Sequence, residues 1–389
     1  MLALRLTRGT HPLVLARRLL VAAASAGVGF LLLCTLGHAL GHPEQSPAPA
    51  LRLLWCVLPL AATVQFAVAV ARTDPGTRPR PGLSAIGLGP ARLTLLAAAS
   101  TAVTCVLGSA VALLLYLHLR GDLTGLPLDG AAAGLLAAGL PVPFAAVLTL
   151  LAVVPVTATA AAALALRPRA ARAAPEEAEG VAGADESMPS GLPWGVALVA
   201  IGLAVETYAG RSGGGEGLPL PGRFDGSPAA VLAGWVLTAI GLATAGPGLV
   251  HGCGRLLQAV RPGAVRLLAG RVLTAEARRV GRPLGVVCAV LSGLLAAATL
   301  YASHTGPDAF GPLTGLGATL VLACTGATLL TAALESRQSR APVTEALLRV
   351  GAPPGALRKA ALLRTGVLLA VFLPLTWAVA QLAALPLKG

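Results

Sequence analysis

The chain has 389 residues, 56% of them hydrophobic and 12% charged, about half the charged share of a soluble domain. Its formal charge is +13, but aromatic residues make up only 3% and the basic residues sit between long apolar runs. That pattern excludes a stacking platform for nucleic acid and indicates a protein that crosses a lipid bilayer several times.

Nine apolar segments are predicted as membrane spans: 19–40, 51–72, 93–119, 140–166, 192–209, 229–250, 283–302, 313–334 and 362–386. Each is expected to be a helix, because lipid cannot satisfy an open backbone. The fold class is therefore all-α, a polytopic helical bundle. The first span follows Arg17 and Arg18 and is longer than the apolar core of a signal peptide, so it is read as a retained span. The fifth is short and carries Glu206, the one acid inside a predicted span. An acid there is a functional candidate by default, although a position near the span's end would let it reach water. Pro374 is expected to kink the ninth span.

Between spans four and five, residues 168–191 are polar and without apolar periodicity, as expected for a cytoplasmic linker. The Gly246-Pro247-Gly248 break is expected near the inner end of span six, as a helix terminus or a hinge. Residues 263–282 form a candidate surface helix, with Val265, Leu268 and Val272 on one side and Arg271, Arg278 and Arg282 on another. Anionic lipid is the expected neighbour of its basic side. After span eight, Thr344 is placed as a cap and Glu345 to Val350 as a short surface helix. Gly351 would end that helix in the left-handed conformation, and Pro353 and Pro354 would prevent its continuation.

Charge orients the spans. With the N-terminus in the cytoplasm, inner segments carry 24 Lys and Arg and outer segments 5. This follows the positive-inside rule and places the C-terminus outside. The abundance of Ala, Gly, Pro and Arg suggests a bacterial source, hence the plasma membrane. The six cysteines form no CxxC pair and are read as small apolar fillers. The six histidines are dispersed and are expected in loops near the surface. No GxxxxGKS/T loop, HExxH motif or convergent catalytic set occurs, so no catalytic residue, metal site or cofactor is expected in this chain.

The two ends of the sequence match at an offset near 262. Ala16-Arg17-Arg18 parallels Ala277-Arg278-Arg279, and Gly89 aligns with Gly351. Ala85, Ile86 and Leu88 then fall opposite Leu347, Leu348 and Val350. Six spans separate the copies, so both face the same way, as in transporters built from parallel repeats. The organisation read from this is a first repeat at 1–166, the linker at 167–191, two linking spans within 192–262, and a second repeat at 263–389.

The segments AEARRVGRP before span seven and ESRQSRAPVTEALLRVGAPPGALRKAALLRTG after span eight resemble the FtsX-like permease family of ABC transporters, as does the duplicate around Gly89. The resemblance implies a non-catalytic permease subunit whose coupling helices contact a separate cytoplasmic ATPase. It assigns that contact to Leu347, Leu348, Arg349, Val350 and Gly351, and in the first copy to Ala85, Ile86, Leu88 and Gly89. Pairing with a second permease, identical or different, is compatible with it. The chain departs from the family in lacking large outer domains and a fourth span in its second half. It also has Val343 where an acid is usual, with Glu345 displaced by two. An ion-driven transporter with Glu206 as its acid and a regulatory membrane scaffold are the alternative readings.

Overall fold

A computed structural model describes residues 12–41, 47–73, 90–122, 130, 132–134, 136, 138–167, 191–212, 217–218, 227–259, 263–303 and 311–385. Among these, nine helices are long and apolar enough to cross a membrane. They are α1 (Pro12–Gly41), α2 (Pro47–Thr73), α3 (Pro90–Arg120), α4 (Phe144–Leu166), α5 (Gly191–Ser212), α6 (Ala229–Gln258), α7 (Ala264–Ser303), α8 (Pro312–Arg349) and α9 (Pro354–Ala384). The one β-ladder among the described residues pairs β1 (Gly217–Leu218) with β2 (Ser227–Pro228) in antiparallel register. The chain is a polytopic, all-α membrane protein.

Six prolines lie inside helices: Pro59, Pro155, Pro247, Pro283, Pro342 and Pro374. Each removes one backbone hydrogen bond, a loss that membrane helices tolerate when neighbouring groups compensate. Three expected breaks are consequently continuous helix. Residues 263–282 are not a separate surface helix but the first half of α7, which runs 40 residues through Pro283. Glu345 to Val350 is not a detached short helix either. Residues through Arg349 form the end of the 38-residue α8, which passes through Pro342, and Val350 opens the turn that follows. Gly246-Pro247-Gly248 lies well inside α6, which continues to Gln258. The sequences flanking Pro283 and Pro342 are rich in Ala, Leu, Arg and Glu, strong helix formers that outweigh one missing bond.

At about 1.5 Å per residue, α7 and α8 are each close to 60 Å long, roughly twice a hydrocarbon core. Both therefore extend well beyond a bilayer.

The contacts divide the chain into two units, Met1–Pro175 with Gly311–Cys324, and Glu176–Phe310 with Thr325–Gly389. In the first, α1 is the central helix. Its buried Val28, Leu33 and Cys34 belong to cores shared with Tyr116 of α3 and with Leu151 and Val154 of α4. Serine hydroxyls tie the helices together: Ser25 donates to the Cys105 carbonyl at 2.9 Å and Ser109 to the Leu151 carbonyl at 3.1 Å. Beyond α3 the chain turns at Gly121 (φ 93°), and Asp122 N–H bonds the Leu117 carbonyl at 3.0 Å. Arg120, itself buried, donates to the Leu140 carbonyl and pairs with Asp122 at 3.4 Å, fixing the start of α4 beside the end of α3.

In the second unit α6 packs between α5 and α7 across close backbone approaches. A methyl group on Gly195 of α5 would lie 2.5 Å from the Ala245 nitrogen, and one on Gly241 would lie 2.8 Å from the Gly195 carbonyl oxygen. On the opposite side, a methyl on Gly254 would lie 2.8 Å from the Gly270 carbonyl oxygen of α7. Such small-residue seams suit membrane helices, which associate through van der Waals contact rather than hydrophobic exclusion. α9 packs on α7, where Thr376 donates to the Cys288 sulfur at 3.2 Å.

Candidate functional site

The end of α8 carries the second set of expected contact residues. Its helix stops as the sequence requires. Gly351 has φ 96°, its N–H bonds the Leu348 carbonyl at 3.0 Å, and the Ala352 N–H bonds the Leu347 carbonyl at 3.0 Å. These two bonds form a Schellman cap, which needs a left-handed residue and so favours glycine. Pro353 is extended and Pro354 opens α9, so the two helices meet at a corner of few residues.

That corner presents apolar surface. Val350 is 88% exposed, and Leu348 and Val343 are also exposed. Leu347 is half-buried. Arg349 pairs with Glu345 one turn back at 3.7 Å, with both side chains mostly in solvent, a contact worth little energetically. The structure therefore places Leu347, Leu348, Arg349, Val350 and Gly351 together on one protruding tip. Ala85, Ile86, Leu88 and Gly89 lie outside the described residues.

The tip is not carried on α8 alone. Nine residues before Arg349, Arg340 meets Glu276 of α7, Nε to Oε1, at 2.8 Å. Arg340 also donates from Nε to the Ser336 carbonyl and from Nη2 to the Ser336 hydroxyl, each at 3.0 Å. Arg279 of α7 reaches Glu335 at 3.9 Å and the Ser339 hydroxyl at 3.4 Å. Glu276 and Arg340 are largely shielded from solvent, and charge-assisted bonds in such places are stronger than exposed pairs. These side-chain contacts link α7 and α8 into a two-helix arm.

Glu206 stands elsewhere, three residues before the end of the apolar stretch Gly191–Ala209 of α5. Its side chain is fully buried, and Oε1 accepts a hydrogen bond from Thr238 of α6 at 3.1 Å. Gly234 makes the space: a methyl there would sit 2.5 Å from the Glu206 Cγ. The seam between α5 and α6 closes over the side chain, so it does not snorkel. The expectation of loop histidines is also corrected. His38, His118 and His251 lie in α1, α3 and α6, with His251 buried. All six cysteines are free and buried within helices. Among the described residues no group of three His, Cys, Asp or Glu is placed to hold a metal ion.

The interhelical pairs Glu276–Arg340 and Arg279–Glu335 are absent from the sequence-level reading. Their partners are distant in sequence, and the expected breaks at Pro283 and Pro342 concealed that both helices run on far enough to meet.

No protein-family model, curated protein or solved structure matches this chain.

Proposed function

We propose that the chain is the membrane-spanning permease subunit of an ABC-type complex, with ATP hydrolysis supplied by a separate cytoplasmic subunit. The observation that carries this reading is the exposed apolar tip at Leu348 and Val350, terminated by Gly351 on a helix that Glu276 and Arg340 tie to α7. A tip of this kind suits insertion into a cleft of a partner whose domains close on ATP. Displacement there would pass along α7 and α8 into the membrane without loss in a hinge. Transport of a substrate or delivery of a mechanical signal would follow.

Likenesses between the two halves support the same reading. α3 and α9 are both 31 residues long, and each opens on a proline, Pro90 and Pro354. α3 crosses α1 where Ser25 bonds Cys105, and α9 crosses α7 where Cys288 approaches the Phe372 carbonyl at 4.0 Å. With the offset of 262 applied, Ser25 falls one residue from Cys288 and Cys105 five residues from Phe372. In this reading the basic helix ends face the bacterial cytoplasm, the segment after α9 faces outside, and a second permease chain completes the complex.

The test is co-purification. Tagged protein extracted in mild detergent, with ATP or a non-hydrolysable analogue, should bring down a nucleotide-binding subunit, and substituting Leu348 and Val350 by Asp should abolish that capture. Absence of any ATPase under both nucleotide conditions would sink the proposal.

The buried carboxyl of Glu206 favours a second reading, an ion-driven transporter. Ion-gradient-dependent uptake that is lost in Glu206→Gln but persists without any ATPase would select it.

A further inference from the structure

The charges of α7, α8 and α9 do not cancel. Their acids are Glu276, Glu335 and Glu345. Each already has an arginine: Arg340, Arg279 and Arg349 respectively. Arg266 and Arg271 of α7 and Arg358 and Lys359 of α9 are exposed. Among the described residues none of these four has a carboxylate beside it.

Helix register brings the four to the level of the apolar tip. Glu276 meets Arg340 and Arg279 meets Glu335, so α7 and α8 run antiparallel. Val350 stands ten residues beyond Arg340, and Arg266 ten residues before Glu276. With equal rise per residue, Val350 and Arg266 therefore share one level. α9 runs parallel to α7: Cys288 approaches Phe372, and further on Ala296 clusters with Ala383 and Ala384. The 84-residue offset between Cys288 and Phe372 puts Arg358 and Lys359 level with Thr274 and Ala275, about 5 Å along the axis from Arg271. Leu348 and Val350 thus stand as exposed apolar groups among four cations that have no counter-charge.

We infer that the surface receiving the tip is an apolar socket rimmed by Asp and Glu side chains. The inference rests on the proposed ATPase partner and adds the chemistry of that partner's receiving site. Leu348 and Val350 leave water inside the socket. The acidic rim meets Arg266, Arg271, Arg358 and Lys359, an arrangement that steers encounter and fixes orientation. An apolar centre within a polar rim is the usual anatomy of a protein interface. Lipid fits this end less well. Arg266 precedes the apolar stretch predicted at 283–302 by 17 residues, about 25 Å of helix, whereas a headgroup layer is only about 5–8 Å deep.

The experiment takes the full chain, captured with its nucleotide-binding subunit in mild detergent, and adds a water-soluble carbodiimide, which joins an amine directly to a carboxylate. Lys359 is one of two lysines in the chain, the other being Lys388. Mass spectrometry should find Lys359 joined to an Asp or Glu of that subunit, and Arg271→Lys should add a second such link. Arg266→Glu/Arg271→Glu should weaken capture about tenfold or more. Wild-type capture should fall several-fold as salt rises from about 0.05 to about 0.5 M. Capture indifferent to salt and to this charge reversal, with no Lys359 link, would overturn the inference. Loss of capture in Leu348→Asp/Val350→Asp would in that case still uphold the ATPase reading. A charge-reversed chain that retains less phosphatidylglycerol but captures the subunit as before would assign the arginines to lipid and also overturn it. Absence of any nucleotide-binding subunit would sink both. If the charge-reversed chain does not fold, Arg266→Gln/Arg271→Gln and the Lys359 link in wild type decide.

Discussion

Glu276 of α7 and Arg340 of α8 face each other across 2.8 Å, 64 residues apart in sequence. Their pairing links the two long helices into one arm. Removing either charge leaves the other shielded and without its partner, so Glu276→Gln or Arg340→Gln should cost about 1–2 kcal/mol. Thermal unfolding in detergent should show this as a lower midpoint. The exchange Glu276→Arg/Arg340→Glu should recover most of the loss. A charge exchange no better than the single variants would show that the pair does not hold the arm.

Gly351 sits at φ 96°, where a β-branched residue is strained by about 1–2 kcal/mol. Gly351→Val should disturb the cap, reorient the tip and sharply reduce capture of the proposed ATPase subunit. Because nothing packs within 4 Å of a methyl at this position, membrane insertion should be unchanged and the loss of thermal stability should not exceed that backbone strain. Gly351→Asn, which tolerates the left-handed region, should retain most of the capture.

Two glycines one turn or so apart on α6 should respond in opposite ways. A methyl on Gly248 would meet the Leu192 Cβ at 2.5 Å, whereas one on Gly252 meets nothing within 4 Å. Gly248→Ala should destabilise by about 1–3 kcal/mol through overpacking. Gly252→Ala should be neutral or stabilise by up to about 1 kcal/mol, as expected for a helix-interior glycine with free space. Parallel melting curves provide the check, and equal shifts of the same sign would contradict the packing described for α5 and α6.

Thr238 provides the hydrogen bond to the buried carboxyl of Glu206. Thr238→Val keeps the shape but removes that donor, and should cost about 1–3 kcal/mol. In a Glu206→Leu background the same substitution should cost far less, since no carboxyl then needs a partner. A double-mutant cycle with no coupling would argue against the bond.

On the proposed topology, with α1 entering from the cytoplasm, nine spans would place the segment after α9 outside. A single cysteine introduced at Lys388 should react with a membrane-impermeant maleimide in intact cells, and one at Arg349 should react only after the membrane is opened. The reverse pattern would invert the topology.

The sequence was most informative about the elements whose physics is local. Hydropathy located all nine helices, and Gly351 with Pro353 and Pro354 located the corner after α8. It was misleading wherever a proline is tolerated within a helix. The boundaries expected after residue 282 and before Glu345 lie beside Pro283 and Pro342, yet both prolines are passed without interruption because strong helix formers surround them. The buried state of Glu206 was hidden for another reason. Its enclosure depends on Gly234 and Thr238, contributed by another helix, and no local pattern reports such an approach. The heptad spacing of Gly234, Gly241 and Gly248 was visible in the sequence, but only the packing of α5 on α6 gives it meaning.

The burial of Cys34, Cys56, Cys105, Cys253, Cys288 and Cys324 has a practical consequence. With every native thiol shielded from polar reagents, site-directed labels can be introduced into the unmodified background. Fluorophores or spin probes attached at the Val350 tip would then report distances and motions without first building a cysteine-free variant, whose substitutions at Cys288 and Cys324 would themselves disturb the contacts to Thr376 and Thr63.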